Sequence, residues 1–517
     1  MDKNDVSHVE IADNLTRTPT GHIELLRNNE VILVPTPSAD PRDPLNLPAW
    51  RKWVLLVLVS AYSCTSVVLA SGMGSISSVV KASYPGQEDR ANDLLTHPTL
   101  FMGVGNLVSM PLAYTIGRRP VFLASIILLI AGGIWCQCST SLSSHIAGRD
   151  IMSLAAGQSE ALSPMIIQEI HFLHERGRKL SWFITIQNLV AGVFFVVSTY
   201  MVSAWGGWRW WYGFFTIMNA VILVFSWIFV SESRFERPEE AMRGEAYPSN
   251  KFGDDNVEQA QGQEYGPRCW RDDLKLLATR PNWSEIPTLY KQVFQGLLIP
   301  TILWLLLLNG AHLGVYVFQA STFSSILMAS PYSFSFTSLG YVQAGQIVCC
   351  LIFLPLLGYG SDFIIRLFTK RNNGLFKPEY RLPVIAIPAI VGVICGIIYG
   401  QAGTNPGKWS AAAVVIGYNA SFFAFLGANI VGITYAVDSF PLRAAPFLVV
   451  ICAGRGIISF GLSYATLPAV KTIGYSGTMI AEEVICGVLS LIAIPMFFLG
   501  PRIRSFVGRW CGSKDIS

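Results

Sequence analysis

Charged residues are scarce in this sequence. Only 14% of its 517 residues are Asp, Glu, Lys or Arg, whereas 52% are hydrophobic. A soluble protein carries about 25% charged residues, so this composition excludes an ordinary soluble domain and indicates a membrane protein. The formal net charge is only +4, which gives no basis for nucleic-acid binding.

The sequence also lacks the patterns of a chemical site. Ten cysteines are present, but no paired set falls in a predicted outer loop, so we expect no disulfide framework. No nucleophile elbow, metal-spaced His/Cys cluster or glycine-rich phosphate loop is found. We therefore expect no enzymatic activity, no metal, no cofactor and no ATP-driven transport.

A cleavable signal peptide is missing as well, because the first 50 residues are polar. Four prolines between residues 35 and 44 fit an extended linker. We expect residues 1–50 to form a disordered cytoplasmic tail. The run Trp50-Arg-Lys-Trp53 is aromatic and cationic, which is typical of the point where a chain enters the membrane.

Long apolar windows fill the rest of the chain. Each approaches the length of about 20 residues that crosses a bilayer. They lie at about 53–74, 98–116, 120–138, 142–170, 180–203, 208–231, 292–318, 335–358, 382–401, 409–437, 445–470 and 475–499. The prediction is an all-α membrane protein in four parts after the tail: a six-helix half (51–231), a cytoplasmic central segment (232–291), a second six-helix half (292–500) and a cytoplasmic tail (501–517).

Lysine and arginine are distributed unevenly around these windows. Roughly 30 of the 37 fall in the tails, the central segment and the loops on one side. We therefore expect both termini in the cytoplasm. In the central segment, 269–277 and 284–292 could form surface helices with apolar side chains against lipid; the alternative is a plain tether.

The fourth window contains three charged residues, Arg149, Asp150 and Glu160. On one continuous helix, Arg149 and Glu160 would be about 20° apart around the axis and about 16 Å apart along it. The small residues Ser153, Ala156 and Gly157 would lie between them. Charges at membrane depth are costly and normally face a partner or a water-filled path, so this face predicts a solute path.

Five short motifs lie at the ends of the windows, in a characteristic order. They are PLAYTIGRRP (111–120), DPLNLPAWRK (43–52), HERG (174–177), RNNGLFKPEYRLP (371–383) and YAVDSFP (435–441). The first resembles the loop motif of the major facilitator superfamily. The other four resemble its fungal drug:proton antiporter-like branch. The resemblance implies a twelve-helix major facilitator fold.

Two positions depart from that family pattern. Tyr114 stands three residues before Gly117, where the family usually has an acid, so the charge pairing there is weakened or rerouted. The stretch after Gly192 has no proline, whereas antiporters often carry a Gly-Pro-rich motif in this span. This leaves both transport directions open.

The resemblance implies a proton-coupling role for Arg149, which matches the family's arginine in the fourth span. The alternative is an arginine that braces the helix. Glu160 is a candidate proton carrier, because burial favours the neutral form of a carboxyl group. Its alternative is a protonated glutamate that bonds across helices. Asp150 points about 100° away from Arg149, and we interpret it either as packing or as a residue that supports a neighbouring site residue.

Two further groups of residues are candidates for a conformational latch and for a substrate cavity. We predict a conformational latch at the inner surface from Gly117, Arg118, Arg119, Glu169, Arg176, Asp438 and Arg443. We predict that a substrate cavity is lined by Asn309, His312, Tyr341, Gln343, Gln346, Tyr418 and Asn429. The alternative for His312 is an ordinary helix residue whose hydrogen bonds are already formed within the protein, so that it binds no substrate.

These features favour a secondary carrier that exports a small, mainly apolar organic compound, a drug or a secondary metabolite, in exchange for protons. We expect a monomer in the plasma membrane whose partners are its substrate, protons and the bilayer. One alternative is uptake of a nutrient or of an organic cation such as a polyamine. A membrane sensor that does not transport and a membrane-bound transferase are further alternatives; the short carboxyl tail and the missing catalytic cluster argue against them.

Overall fold

The computed structural model describes residues 26–27, 30–31, 35–38, 40–87, 89–235, 237, 274–277, 281–372, 377–440 and 443–510. Apart from two short strands, Leu26–Arg27 and Glu30–Val31, which pair antiparallel, the regular structure of this part is helical. Twelve helical spans form two bundles of six. Ala49 and Trp510 therefore lie on the same side, which we name the terminal face; the opposite side is the far face.

The first bundle contains spans 1 to 6. Span 1 kinks at Gly72, and span 4 is interrupted by a 3-10 turn at Gly157–Ser159. The helices are Ala49–Ser71 and Met73–Ala82 (span 1), Asp93–Ile116 (span 2), Arg118–Cys138 (span 3), Leu142–Ala156 and Leu162–Glu169 (span 4), Leu173–Ala204 (span 5) and Trp208–Phe229 (span 6).

The second bundle contains spans 7 to 12. Gly474, with a φ of +72°, separates spans 11 and 12 inside the continuous stretch Ala444–Leu491. The other helices are Pro300–Met328 (span 7), Leu339–Val348 and Leu354–Arg371 around a π-helical turn (span 8), Ala386–Thr404 after the 3-10 turn Pro378–Ile385 (span 9), Ala411–Ser439 (span 10) and Ala493–Trp510 (the end of span 12).

Ten of the twelve spans are recognisable from helix length and apolarity in the described ranges, and two are not. Within the described ranges, nine helices are long and apolar enough to cross a membrane alone, and the bent pair Pro468–Leu491 with Ala493–Val507 makes a tenth. Spans 4 and 8 are the remaining two. Both are interrupted, and span 4 also carries charges, which explains why neither qualifies as one uninterrupted apolar helix.

The two bundles meet most closely where span 2 crosses span 11. A Cβ at Gly103 would lie 2.6 Å from the carbonyl oxygen of Ala453, and one at Gly456 would overlap the carbonyl of Thr99. Glycine at both positions lets the backbones approach, as is usual for helices packed in lipid. Near the far face, Ser77 and Ser324 join spans 1 and 7 through hydroxyl oxygens 3.0 Å apart.

Part of the expected disordered tail is ordered. Asp43 is fully buried; it accepts a hydrogen bond from the amide of Leu45 and pairs with Arg237 at 2.6 Å. These contacts attach the 3-10 turn Pro44–Asn46 to the terminal face. The expectation of disorder is therefore wrong for this stretch. Residues 1–25 lie outside the described residues.

The central segment contains a helix at Glu285–Leu297, close to the predicted surface helix at 284–292. Val293 is buried, whereas Phe294 and Leu298 are strongly exposed. This pattern is that of a helix lying along a surface with part of its apolar side free for lipid. Residues 238–273 and the tail 511–517 lie outside the described residues.

Candidate functional site

Span 4 is interrupted beside Glu160. Pro164 has no amide hydrogen to give to the carbonyl of Glu160, so the regular helical bond is missing there. Instead, the thiol of Cys452 in span 11 lies 4.0 Å from that carbonyl oxygen. The expectation of one continuous helix that carries both Arg149 and Glu160 is therefore wrong, because the helix of Arg149 ends at Ala156 and a 3-10 turn follows before Glu160.

Glu160 forms an ion pair between the two bundles. Its Oε1 lies 2.6 Å from Nη2 of Arg455 in span 11. Arg455 is 4% exposed, and its Nη1 donates to Oδ1 of Asn429 in span 10 at 2.6 Å. The ring of Phe425 lies 5.8 Å from the guanidinium carbon. We name Glu160, Arg455 and Asn429 the interbundle triad. Predicted residues from both site groups, Glu160 and Asn429, thus meet at one unpredicted arginine.

Arg149 has a different environment, within the first bundle. Its Nε donates to the carbonyl of Leu94 at 2.8 Å, and its Nη2 donates to the carbonyl of Ala70 at 2.7 Å. Pro98 cannot donate to Leu94, and Ala70 lies at the kink of span 1. Arg149 therefore bonds carbonyls at irregular points of spans 1 and 2. Its role in proton coupling stays a prediction.

His145, which was not among the predicted site residues, extends the contacts of Arg149. Tyr212 accepts a hydrogen bond from Nη1 of Arg149 at 2.9 Å, and its oxygen lies 3.0 Å from Nε2 of His145. The imidazole stacks on Trp208, with the ring centres 4.6 Å apart. Since all four side chains are buried, this network fixes the contact between spans 4 and 6.

Three predicted cavity residues come together in the second bundle. Nε2 of Gln346 donates to Oε1 of Gln343 at 2.7 Å and lies 3.0 Å from the hydroxyl of Tyr418. Tyr316 of span 7, which was not predicted, joins them at 3.1 Å from Gln346 and stacks on Tyr418. We name these four residues the amide–tyrosine cluster. It is buried and formally uncharged, so it can offer aromatic faces and neutral hydrogen bonds.

Three other predicted cavity residues lie elsewhere. His312 shares a 3.3 Å hydrogen bond with Ser490 of span 12, inside the second bundle. Asn309 donates to the carbonyl of Leu305 in its own helix. Tyr341 is 65% exposed at the far-face end of span 8 and contacts only the ring of Tyr200 among the described aromatic pairs. None of the three reaches the amide–tyrosine cluster, because their helices turn these side chains toward other neighbours.

The first bundle forms one predicted latch contact. Nη2 of Arg118 donates to Glu169 at 2.6 Å, and its Nε contacts both carboxylate oxygens. The guanidinium carbon also lies 4.5 Å from the ring centre of Tyr114, which replaces the family's acid. The charge pairing is thus rerouted from span 2 to span 4.

Gly117 permits this arrangement. Its φ is +126°, and a Cβ there would overlap the carboxylate of Glu232. That carboxylate accepts from the amides of Arg118 at 2.9 Å and Arg119 at 3.2 Å. Glu232, which the sequence analysis did not select, therefore caps span 3 at its first turn, where backbone amides lack helical partners. The side chain of Arg119 bonds backbone carbonyls.

The remaining latch residues have partners that were not predicted. Arg176 donates to the carbonyl of His171, and Arg443 donates to the side chain of Gln295. Asp438 pairs with Nε of Arg381 at 2.6 Å. The Arg381–Asp438 pair corresponds to Arg118–Glu169 in the other bundle: in both, an arginine between the second and third spans of a bundle holds an acid at the end of its fourth span. Each pair lies within one bundle.

The family model of the Major Facilitator Superfamily matches residues 53–448, which cover the first bundle and spans 7 to 10 of the second. The chain belongs to this superfamily. It is thus a multi-pass membrane protein and a secondary transporter.

Several known proteins resemble the superfamily member over most of its length. The "Uncharacterized MFS-type transporter C1271.10c" of Schizosaccharomyces pombe is 23% identical and aligns over 94% of this chain and 90% of its own. "Efflux pump radE" of Floropilus chiversii is 25% identical over 90% and 83%. The xylose transporter XylE from E. coli, in a partially occluded inward open conformation, has the same fold, with a TM-score of 0.57, 14% identity and coverage of 87% and 98%.

Neither the interbundle triad nor the amide–tyrosine cluster lines the described surface clefts of this transporter. Two clefts, of about 300 Å³ beside Lys52 and Lys179 and about 430 Å³ beside Trp205 and Trp210, lie away from the interbundle triad. We therefore place the candidate site between the triad and the amide–tyrosine cluster. Phe425 links them, since it contacts both Arg455 and Tyr316.

Proposed function

We propose that the protein exports a small, mainly apolar organic compound in exchange for protons, by rocking its two bundles around a midplane site. The observation that carries this proposal is the ion pair between Glu160 and Arg455. It joins the two bundles through one carboxylate, and a carboxylate can lose its charge by taking a single proton. That property suits an element that alternates between two arrangements.

Protonation of Glu160 would weaken the contact between the bundles. Removing one charge of a buried ion pair typically costs about 3–5 kcal/mol, because the other charge stays buried. A change of that size shifts an equilibrium between two states by more than about a hundredfold. Arg455 would keep Asn429 as its partner, so it would stay in place while the bundles separate and the substrate site opens to the other side.

The amide–tyrosine cluster supports an uncharged, aromatic or hydroxylated substrate. It contains two amides and two phenols but no ionised group, and aromatic faces bind flat apolar compounds well. A polyamine would require an unpaired carboxylate at the candidate site, and the carboxylate of Glu160 there is already bound to Arg455. Export is supported by the relative whose name is that of an efflux pump.

The proposal also includes the orientation of the protein in the membrane and the roles of its two halves. We place both termini and residues 232–291 in the cytoplasm, because basic residues are concentrated there. Residues 51–231 and 292–500 are the two moving halves. The Arg118–Glu169 and Arg381–Asp438 pairs then serve as latches at the cytoplasmic surface. They keep each half rigid while the triad controls the contact between the halves. We further place the protein in the plasma membrane as a monomer.

The test replaces Glu160 by glutamine, which resembles the protonated acid. Purified parent and Glu160→Gln proteins are reconstituted in vesicles, with and without an imposed pH gradient. We expect the variant to exchange substrate across the membrane but not to accumulate it against a gradient. Glu285→Gln is the matched control, because Glu285 is a partly exposed acid of the central helix whose ion pair with Arg234 is long, at 3.7 Å. If Glu160→Gln remains as strongly driven by pH as the parent, Glu160 is not the proton carrier.

A second experiment separates the substrate classes. A neutral lipophilic fluorescent dye and radiolabelled spermidine are offered to the same vesicles. We expect pH-driven movement of the dye and none of spermidine. We expect Gln346→Ala to raise the apparent KM for the dye about tenfold or more, because it removes several buried hydrogen bonds. Tyr341→Ala is the control and should leave KM unchanged. Transport of spermidine alone would favour the uptake alternative.

A further inference from the structure

Two adjacent glutamates lie inside span 12, away from the site described above. Glu482 and Glu483 are 6% and 1% exposed. They are about 12 Å along the helix from the kink at Gly474, which marks the far face. Acidic residues at such depth are rare in membrane proteins, and when present they usually have a function.

The two carboxyl groups are only partly bonded. The hydroxyl of Thr466 in span 11 donates to Oε1 of Glu482 in a short hydrogen bond. Oε2 of Glu482 and Oε1 of Glu483 are buried and have no hydrogen-bond partner in the described part of the chain. Nor does any arginine, lysine or histidine of that part form an ion pair with either group. Without a cation, the site stabilises a carboxyl group that carries a proton.

The groups packed around the pair are also uncharged or engaged elsewhere. Cys395 stands next to Gly396 in span 9, and Cys486 follows the glutamates by one turn of span 12. His312 of span 7 contacts span 12 at Ser490, about two turns further along. Gly396 of span 9 provides the space for the second carboxyl group, since a Cβ there would overlap Oε1 of Glu483.

A line of polar side chains connects this pair with the interbundle triad. Arg455, Ser459, Ser463 and Thr466 follow one another on span 11 at intervals of three or four residues, so they lie within about 80° of one helix face. The line is about 16 Å long. Its first member bonds Glu160 and its last bonds Glu482. The hydroxyl of Ser459 is buried and has no hydrogen-bond partner among the described residues, so it can bond a water molecule.

We propose that Glu482 and Glu483 form a second proton-binding site of the transport cycle. A proton from water adds to a carboxylate oxygen of the pair, and it leaves again to water when the polar face of span 11 is hydrated. This inference rests on the proposed proton coupling and extends it. Glu160 exchanges its proton at the contact between the bundles, whereas the glutamate pair binds its proton within the second bundle, nearer the far face.

The first experiment measures proton occupancy without transport. The purified full-length protein is treated with dicyclohexylcarbodiimide, which modifies protonated, desolvated carboxyl groups, and its peptides are weighed by mass spectrometry over a pH series. We expect modification at Glu482 or Glu483 that falls about tenfold per pH unit above its midpoint. Modification that is absent at every pH, or that is the same at every pH, would overturn the proposal, because the pair would then not exchange protons.

The second experiment measures the pH profile of transport. In vesicles, Glu482→Gln and Glu483→Gln should keep substrate exchange, but at least one should flatten the dependence on pH. Thr466→Val removes the donor to Glu482 and should move the midpoint of that dependence upward by about one pH unit. Parental profiles in all three variants would overturn the proposal. If the parent itself ignores the pH gradient, the proposed function fails, and the chemical modification still decides whether the pair exchanges protons.

Discussion

Replacing Arg149 by lysine would separate two roles of this residue. Lysine keeps the positive charge but has a single nitrogen donor group in place of the planar guanidinium. Arg149 donates four hydrogen bonds to neutral acceptors: the carbonyls of Leu94, Leu69 and Ala70, and the hydroxyl of Tyr212. If its main task is to hold these groups, Arg149→Lys should lower the stability of the protein.

The size of the loss follows from the number of bonds. The ammonium of a lysine could reach about two of the four acceptors, so at least two would lose their partner. A hydrogen bond to a charged group contributes about 1.5–3 kcal/mol. We therefore expect a loss of about 3–6 kcal/mol in the free energy of unfolding. In a large protein this corresponds to a fall of several degrees in the melting temperature.

Pro98 provides a matched control for this prediction. Pro98→Ala restores an amide that can donate to the carbonyl of Leu94, so it should compensate for one of the bonds lost in Arg149→Lys. The double variant should then recover about 1 kcal/mol relative to the sum of the single changes. Melting followed by tryptophan fluorescence measures all four proteins, and vesicle transport with a pH gradient is measured alongside.

One result would refute this reasoning. If Arg149→Lys melts like the parent but loses its response to the pH gradient, its hydrogen bonds are not what the protein requires. The role in proton coupling that the family resemblance implies would then be favoured. Equal losses of stability and transport, with partial recovery of both in the double variant, would instead support the bracing role.

Three further predictions concern the latches and the topology. Gly117→Ala should lower the melting temperature, with a loss of about 1–3 kcal/mol, since φ is +126° and the new Cβ overlaps Glu232; an unchanged melting curve would contradict it. Arg381→Asp should impair transport and Asp438→Arg combined with it should restore part of the rate, because the swap keeps one ion pair; equal rates in the single and double variants would argue against the latch. A single cysteine at Asp255, outside the described residues, should not react with an impermeant maleimide in intact cells, and labelling from outside would overturn the cytoplasmic placement.

Local sequence patterns predicted some residues of the candidate site and missed others. Gln343, Gln346 and Tyr418, three of the seven predicted cavity residues, do contact one another, as polar residues in apolar spans tend to do; their role in substrate binding stays a prediction. Arg455 lies inside an apolar window, as Arg149 does, so the same cost of burial could have identified it. Glu482 and Glu483 carried that signal too. Arg381 could have been found by comparing the two halves, in which it occupies the place of Arg118.

Local sequence patterns could not predict which charged residues form ion pairs with each other. Glu160 lies eleven positions after Arg149 in the sequence, and a continuous helix would bring the two to one face. The helix is interrupted at Gly157–Ser159, and Glu160 pairs with Arg455 across the bundle contact. A side chain's partner depends on the helix that packs opposite, and that helix lies almost 300 residues away in the sequence.

The sequence by itself determined that the chain is an all-helical membrane transporter with two six-helix halves. Apolar length, scarce charge and the positions of basic residues are properties of each segment and its solvent, so they need no knowledge of neighbours. Only the tertiary structure decided that Arg149 bonds backbone carbonyls, that His312 and Tyr341 lie away from the amide–tyrosine cluster, and that Arg455 connects the halves. Those facts depend on which helix faces meet, and in lipid that choice is made by close packing and specific polar contacts between helices.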